Sequence, residues 1–250
     1  MSILWYYVYS PKYEIFHHIL SSCIETHKGF DLRPVFVPQE AFSNTYMSST
    51  THFFSGNSVK IQCLIDALKA NPEQHIIFSD VDLIIQTTET LRSYLESYKV
   101  YDITFMKDNM RDNTRNIGFG LIKSTPETIH FFDSVLNEIV KTKGLDQDII
   151  NTQLASFKGT SSMFTLPEII QSNMFDTYVP FYVLQMLCAN QDTSDKNIFE
   201  KLITAAKLLD ITDVLPLVSN DVVETLRWYF KTHYPSHYLS QLWTQYTFFI

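Results

Sequence analysis

The triplet Asp80-Val81-Asp82 follows directly on the apolar run His75-Ile76-Ile77-Phe78-Ser79. A hydrophobic strand that stops at two carboxylates one residue apart delivers both to the carboxyl edge of a sheet, where open α/β folds place their ligands. Two such carboxylates suit a divalent ion. Mg²⁺ and Mn²⁺ prefer oxygen ligands and usually hold substrate phosphates as well, so the natural cargo is a metal diphosphate. A D-x-D triplet arises easily by chance, and a solvated turn after a strand would read the same. Its place at the end of the strand is what gives it weight.

The elements around the triplet alternate. Ile3 to Tyr9 is β-branched and aromatic and stops at Ser10-Pro11, and Tyr13 to Thr26 then shows helical spacing through Ile15, Phe16, Ile19, Leu20, Cys23 and Ile24. Leu32 to Val37 is a second short strand, and the polar stretch Ser43 to Ser58 reads as a loop. Asn57 or Ser58 then caps a helix carrying Val59, Ile61, Leu64, Ile65 and Leu68, which ends near Asn71-Pro72, just before the strand that presents Asp80. A helix over Thr90 to Tyr98 leads to a strand from Asp102 to Met106. Asn116 to Ile122 is strand-like, and Ser124-Thr125-Pro126-Glu127 starts a helix that Gly144 ends. Asp146-Gln147-Asp148-Ile149-Ile150-Asn151 opens another short helix, and strands are expected around Met163 to Leu166 and Val179 to Leu184. From Lys196 onward the pattern is helix after helix, and it ends in the aromatic-rich stretch Tyr238 to Ile250.

These patterns predict an α/β domain over residues 1–196 and a helical C-terminal extension over 197–250 that packs on it or offers a homo-oligomer surface. A chain of 250 residues with a net charge of −8 and no Lys/Arg cluster does not have a nucleic-acid backbone as its main partner. A metal-bridged anion is still compatible with that charge, because the metal supplies positive charge locally. The cysteines, Cys23, Cys63 and Cys188, lack metal-ligand spacing, and their odd number points to a reducing compartment. The apolar N-terminus is too short to span a bilayer and reads as a first strand.

A strand ending in Asp80-Val81-Asp82, then Asn116 with Gly118-Phe119, then Asp146-Gln147-Asp148 with Asn151, resembles the order of motifs in glycosyltransferases of the GT-A fold. The nearest pattern is that of the retaining enzymes of family 8, the glycogenin and bacterial galactosyltransferase group, and of family 77, the nucleotide-diphospho-sugar transferases. The resemblance covers about residues 3 to 196. It implies a Rossmann-like mixed sheet flanked by helices. It also implies a metal-dependent enzyme that moves a sugar from a UDP- or GDP-sugar to a carbohydrate or glycoconjugate acceptor, with Mn²⁺ or Mg²⁺ as cofactor.

Residue by residue, the resemblance implies that Asp82 chelates the metal and that Asp80 contacts both ribose and metal. Asp146 would bind sugar hydroxyls, and Gln147 would face the anomeric carbon from the side opposite the leaving group. Gln is a poor nucleophile and an adequate dipole, which favours a retaining front-face route over a covalent carboxylate intermediate. Asn116 and Gly118 would line the donor and acceptor sugars, with Asp102, Lys107 and Asp108 flanking them, and Tyr9-Ser10 would receive the nucleobase. Plainer readings stand beside these. Asp146 would cap its helix, Gly118 would serve packing in a buried strand, and Tyr9 would be ordinary core.

The chain departs from the family pattern at one place. Relatives supply a His as third metal ligand from a late strand, followed by a Lys that meets the diphosphate; the matching stretch here reads Leu187-Cys188-Ala189-Asn190, with Lys196 downstream. Cys188 then stands at the ligand position, and a thiol is a softer partner for Mg²⁺ or Mn²⁺. Three other readings remain open. One is an inverting transferase with Asp146 or Asp148 as general base. The second is a sugar nucleotidyltransferase, which would want a Gly-rich basic loop where this chain has Ser10-Pro11-Lys12-Tyr13. The third is a catalytically inactive carbohydrate-binding relative. The expected location is the cytoplasm of a bacterium or of a virus-infected host.

Overall fold

The computed structural model describes residues 2–25, 29–38, 51–85, 88–108, 113–164, 169–171 and 183–186, together with Ile198, Lys201, Trp228 and Thr232. In chain order the elements are β1 (Ile3–Tyr9), α1 (Glu14–Glu25), β2 (Phe30–Phe36), α2 (Thr51–Ala70), β3 (His75–Ser79), β4 (Leu83–Ile85), α3 (Thr88–Glu96) and β5 (Ile103–Lys107). There follow β6 (Arg115–Lys123), α4 (Pro126–Thr142), α5 (Asp146–Gln153), β7 (Ser161–Met163), β8 (Ile169–Gln171) and β9 (Val183–Gln185).

The main sheet has the order β2-β1-β3-β6-β5-β7. The pairs β2/β1, β1/β3 and β5/β7 are parallel, whereas β6 runs antiparallel to both β3 and β5. This is the α/β domain that the alternation of strand and helix predicts, with the mixed sheet that the resemblance implies. Strand residues alternate between two apolar layers. Ile3, Trp5, Tyr7, Ile77, Phe119 and Leu121 face a core built with α1, α3 and the small sheet. Leu4, Tyr6, Val8, Ile76 and Phe78 face a second core against Ile61, Leu64, Ile65 and Leu68 of α2 and Phe132, Val135 and Ile139 of α4.

A small sheet of order β4-β9-β8 stands beside the main one. The chain crosses from one sheet to the other between β3 and β4, and the crossing is Asp80-Val81-Asp82. Neither β4 nor β8 is foreseen from the sequence, because three-residue strands carry no readable period.

Several expected boundaries move. The helix expected from Asn57 or Ser58 begins at Thr51, so both residues lie inside α2 and neither caps it. On α4 the capping box forms between Thr125 and Thr128. The left-handed residue at its end is Lys143, at φ 59°, rather than Gly144. The residue flanking the start of α5 is Leu145, so Asp146 is the first helical residue and not the cap. Of the strand expected over Val179 to Leu184, residues 183–184 lie in β9, which extends to Gln185. β7 runs from Ser161 to Met163, earlier than expected. The C-terminal helices expected beyond Lys196 lie outside the described residues, apart from the four isolated positions. Among the described residues no helix is long and apolar enough to cross a membrane.

Candidate active site

The crossing between the sheets is pinned by the backbone at both ends. Asp80 N–H donates to the carbonyl of Gly118 on β6 (2.8 Å), and Met186 N–H, just after β9, donates to the carbonyl of Asp82 (2.9 Å). Behind it, Trp5 Nε1 donates to Ser79 Oγ (2.8 Å), which donates in turn to the Asp80 carbonyl (2.8 Å). The two carboxylates are therefore held at the carboxyl edge of β3 by three different strands.

The side chains around them form a charge cluster. Lys60 of α2 puts Nζ 2.5 Å from Asp80 Oδ1 and 3.7 Å from Asp146 Oδ2, so one ammonium joins the D-x-D triplet to the start of α5. Asp82 is 4% exposed and pairs through Oδ2 with the buried Nζ of Lys201, while its Oδ1 has no hydrogen-bond partner among the described residues. Asp80 Oδ2 accepts from Gln185 Nε2 (2.8 Å). Gln185 is also 4% exposed, and its Oε1 has no partner among the described residues.

Burial controls the protonation of these groups. Desolvation raises the pKa of Asp82 against the pull of Lys201, with the Asp80 charge adding to the rise. Asp146 is raised in the same way, against Lys60. For Lys60, burial by itself would lower the pKa, but Asp80, Asp146 and Asp82 together outweigh it and push the ammonium well above its ordinary range. Three carboxylates thus face two ammonium groups.

The structure brings Asp80, Asp82 and Asp146 together, and Gln147 and Asn116 adjoin them. Gln147 Nε2 donates to the buried Asp108 Oδ2 (3.0 Å), which fixes the direction of its amide. Asn116 Oδ1 accepts the Gly118 N–H (2.6 Å), so that oxygen serves the turn of the strand. Asn151 is structural: it exchanges hydrogen bonds with both backbone groups of Arg115 and ties α5 to β6. Asp148 is exposed, about half a turn round α5 from Asp146. At the end of β1, Tyr9 stacks on His17 at 4.4 Å, and Ser10 Oγ is buried without a partner. Asp102 lies apart from the cluster and closes onto Thr160 (2.7 Å to its N–H). Cys188 and Lys196 lie outside the described residues.

Lys60, Gln185 and Lys201 are the site residues that sequence reading misses. A lysine in an amphipathic helix and a glutamine at a strand end look the same wherever they occur, so nothing in the sequence nominates them. Among the described residues no three His, Cys, Asp or Glu side chains are grouped to hold a metal. The oxygens nevertheless fit a hard cation, because among the described residues Asp82 Oδ1 and Gln185 Oε1 are buried acceptors without donors.

The candidate site is thus a strand-edge pair of aspartates in a mixed α/β sheet, linked by lysine to a second acidic segment. The sequence profile of the nucleotide-diphospho-sugar transferases matches residues 17–200, and the chain belongs to that family. Among curated proteins no sequence match is found. Solved structures share the fold. A glycosyltransferase involved in glycosylation of the major capsid of PBCV-1 superposes with a TM-score of 0.56 at 8% identity, covering 81% of this chain and 100% of that one. An active-site mutant of LgtC gives a TM-score of 0.51 at 12% identity, over 82% and 96% of the two chains. The glycosyltransferase GlyE of Streptococcus pneumoniae TIGR4 gives 0.52 at 14%, covering 94% of this chain and 65% of its own. The protein is a glycosyltransferase with the α/β architecture of these relatives.

Proposed function

We propose that the protein transfers a sugar from a nucleotide-diphosphate donor to an acceptor hydroxyl, with a divalent cation and with retention of configuration at the anomeric carbon. The observation that carries this reading is the cluster of Asp80, Asp82 and Asp146 around Lys60 at the carboxyl edge of β3. Asp80, Asp82 and Gln185 would hold the cation, whose contribution when bound is positive charge against the leaving diphosphate. Lys201, paired with Asp82, would meet the same phosphates in the role that the resemblance implies for Lys196. Lys60 opposes the rise that burial gives the Asp146 pKa, and this carboxyl would meet the donor-sugar hydroxyls. Gln147, its Nε2 held by Asp108, would present Oε1 as the negative end of a dipole to the anomeric carbon. No carboxylate takes that place, which favours proton transfer from the acceptor to the leaving phosphate itself over a covalent intermediate. Tyr9, stacked on His17, and the buried Ser10 would stand at the nucleobase end of the site.

A second reading draws on the two lysines: Lys60 and Lys201 neutralise the diphosphate without a metal. The experiment is a thermal-shift panel of nucleotide sugars with and without Mn²⁺, followed by turnover of Asp82→Ala and by NMR of the first-formed glycoside. The proposal expects donor stabilisation that needs Mn²⁺, no turnover in Asp82→Ala, and an α product from an α donor. Full turnover in excess chelator, lost in Lys201→Ala, replaces the metal with the lysines. A β product makes the enzyme inverting.

A further inference from the structure

Gln185 occupies a position that its residue type does not explain. It ends β9, opposite Leu83 of β4 in the antiparallel register, and the next residue, Met186, holds the Asp82 carbonyl through its N–H. Its amide lies directly over Gly118, where any Cβ would collide with it. Glycine on β6 therefore makes room for this one side chain.

The amide has only one sensible orientation. Nε2 donates to Asp80 Oδ2 at 2.8 Å, and the flipped amide would set oxygen against a carboxylate oxygen. Oε1 is therefore the amide atom not engaged by Asp80 Oδ2, and among the described residues it is buried and without a donor. Asp82 Oδ1 is a second buried acceptor in the same state, on the residue whose backbone β9 holds. These two buried acceptors lack a donor among the described residues, while Lys60, Lys201 and the Gln185 amide N–H engage the other three carboxylate oxygens of Asp80 and Asp82. An amide oxygen is also a ligand type that Mg²⁺ and Mn²⁺ accept readily.

We infer that Gln185 supplies its side-chain oxygen as a third protein ligand for the divalent cation, alongside Asp80 and Asp82. The inference rests on the metal-dependent reading above. It assigns to β9 the role that the sequence alone assigned to Cys188.

The test is direct titration of Mn²⁺, followed through the EPR signal of the free ion, with the protein alone and with UDP or GDP present. The variants are Gln185→Leu, Gln185→Glu, Cys188→Ser and Asp82→Asn, each with a melting curve. Gln185→Leu is expected to weaken Mn²⁺ binding tenfold or more, Gln185→Glu to keep it, and Cys188→Ser to leave it unchanged. Wild-type affinity in Gln185→Leu together with loss in Asp82→Asn overturns the inference and leaves the metal reading standing. Loss in Cys188→Ser alone returns the ligand to Cys188. Wild-type affinity in Asp82→Asn removes the metal reading itself. Should Gln185→Leu fail to fold, Gln185→His decides. An imidazole at that point produces a ¹⁴N coupling in the electron spin-echo modulation of bound Mn²⁺ if residue 185 is a ligand, and none if it is not.

Discussion

Lys60 is the residue on which the cluster's charge balance turns. Its ammonium lies against Asp80 and Asp146, so Lys60→Met would leave two carboxylates facing each other in a largely buried place. Removing one partner of such a pair costs about 3 kcal/mol. The expected outcome is a lower urea midpoint and loss of donor binding, with Lys60→Arg recovering stability before activity, since its planar fork cannot reproduce a point charge. An unchanged midpoint in Lys60→Met would show that water already screens the pair. Asp108 acts one contact further out, by holding the Gln147 amide. Asp108→Ala frees that amide to rotate and is expected to lower kcat by about tenfold with little change in KM, because a dipole is misdirected and no binding contact is lost. An equal rise in KM would place Asp108 on the substrate instead. At this scale the acidic residues were legible because carboxylates at a strand end have few structural reasons to be there. Their basic and amide partners were not, because a partner's identity depends on which helix and strand the fold brings opposite.

Elements were legible where one period ran long. β1, β3, β6 and α4 carry sustained alternation or helical spacing, and the structure puts them within about a residue of where the pattern does. α2 begins about two turns earlier than expected, because its first residues, Thr51 to Ser55, are polar and aromatic without an apolar stripe, and the Ser/Thr signal for a loop prevailed. The bend in β6 was equally hidden. The register of β5 against β6 jumps between Phe105 and Met106, so Ile117 to Phe119 face no residue of β5. That bulge sends Gly118 towards Gln185, whereas a Cβ on Gly120 would meet the Phe105 ring. Two glycines on one strand thus predict different failures. Gly120→Ala should cost roughly 1–3 kcal/mol of stability by overpacking and leave donor binding intact once the protein is folded. Gly118→Ala should displace the Gln185 amide and weaken cation-dependent nucleotide binding by more than its stability loss accounts for. Thermal melts beside calorimetric titrations separate the two, and parallel losses in both variants would remove the distinction.

Across the whole molecule, the site is a seam rather than a pocket dug into one element. It needs α2 from one face of the main sheet, β3 and β6 from its middle, the start of α5, and β9 from the small sheet, so it exists only when both apolar layers are packed. Long-range assembly of this kind has no local signature, which is why the motifs were readable and their joining was not. Global stability has its own pH signature at His75, far from the carboxylate cluster at the other end of β3. Burial, helped by Lys99 and Lys123, holds this imidazole below its ordinary range, although the carbonyl of Tyr101 pulls it upward. The unfolded chain therefore takes up a proton first as pH falls below about 6.5, and stability present above that pH is lost below it. His75→Gln should flatten this part of the Tm profile between pH 7 and pH 5, and an identical slope in the variant would assign the effect elsewhere. The packing itself is reported by Cys23. Its thiol is buried in the layer formed by β1, α1 and the small sheet, and desolvation pushes its pKa up to about 11 against a hydrogen bond from the Ile85 backbone. The thiolate, not the thiol, is the nucleophile, so alkylation at neutral pH must wait for the layer to open. Mass-spectrometric mapping of iodoacetamide labelling should find Cys63, which is half-buried on α2, modified well before Cys23. If the site and the cores form one cooperative unit, a nucleotide sugar with Mn²⁺ should slow the labelling of Cys23 by the factor that its occupancy predicts. Labelling of Cys23 that is unaffected by a saturating donor would show that this layer opens without disturbing the seam.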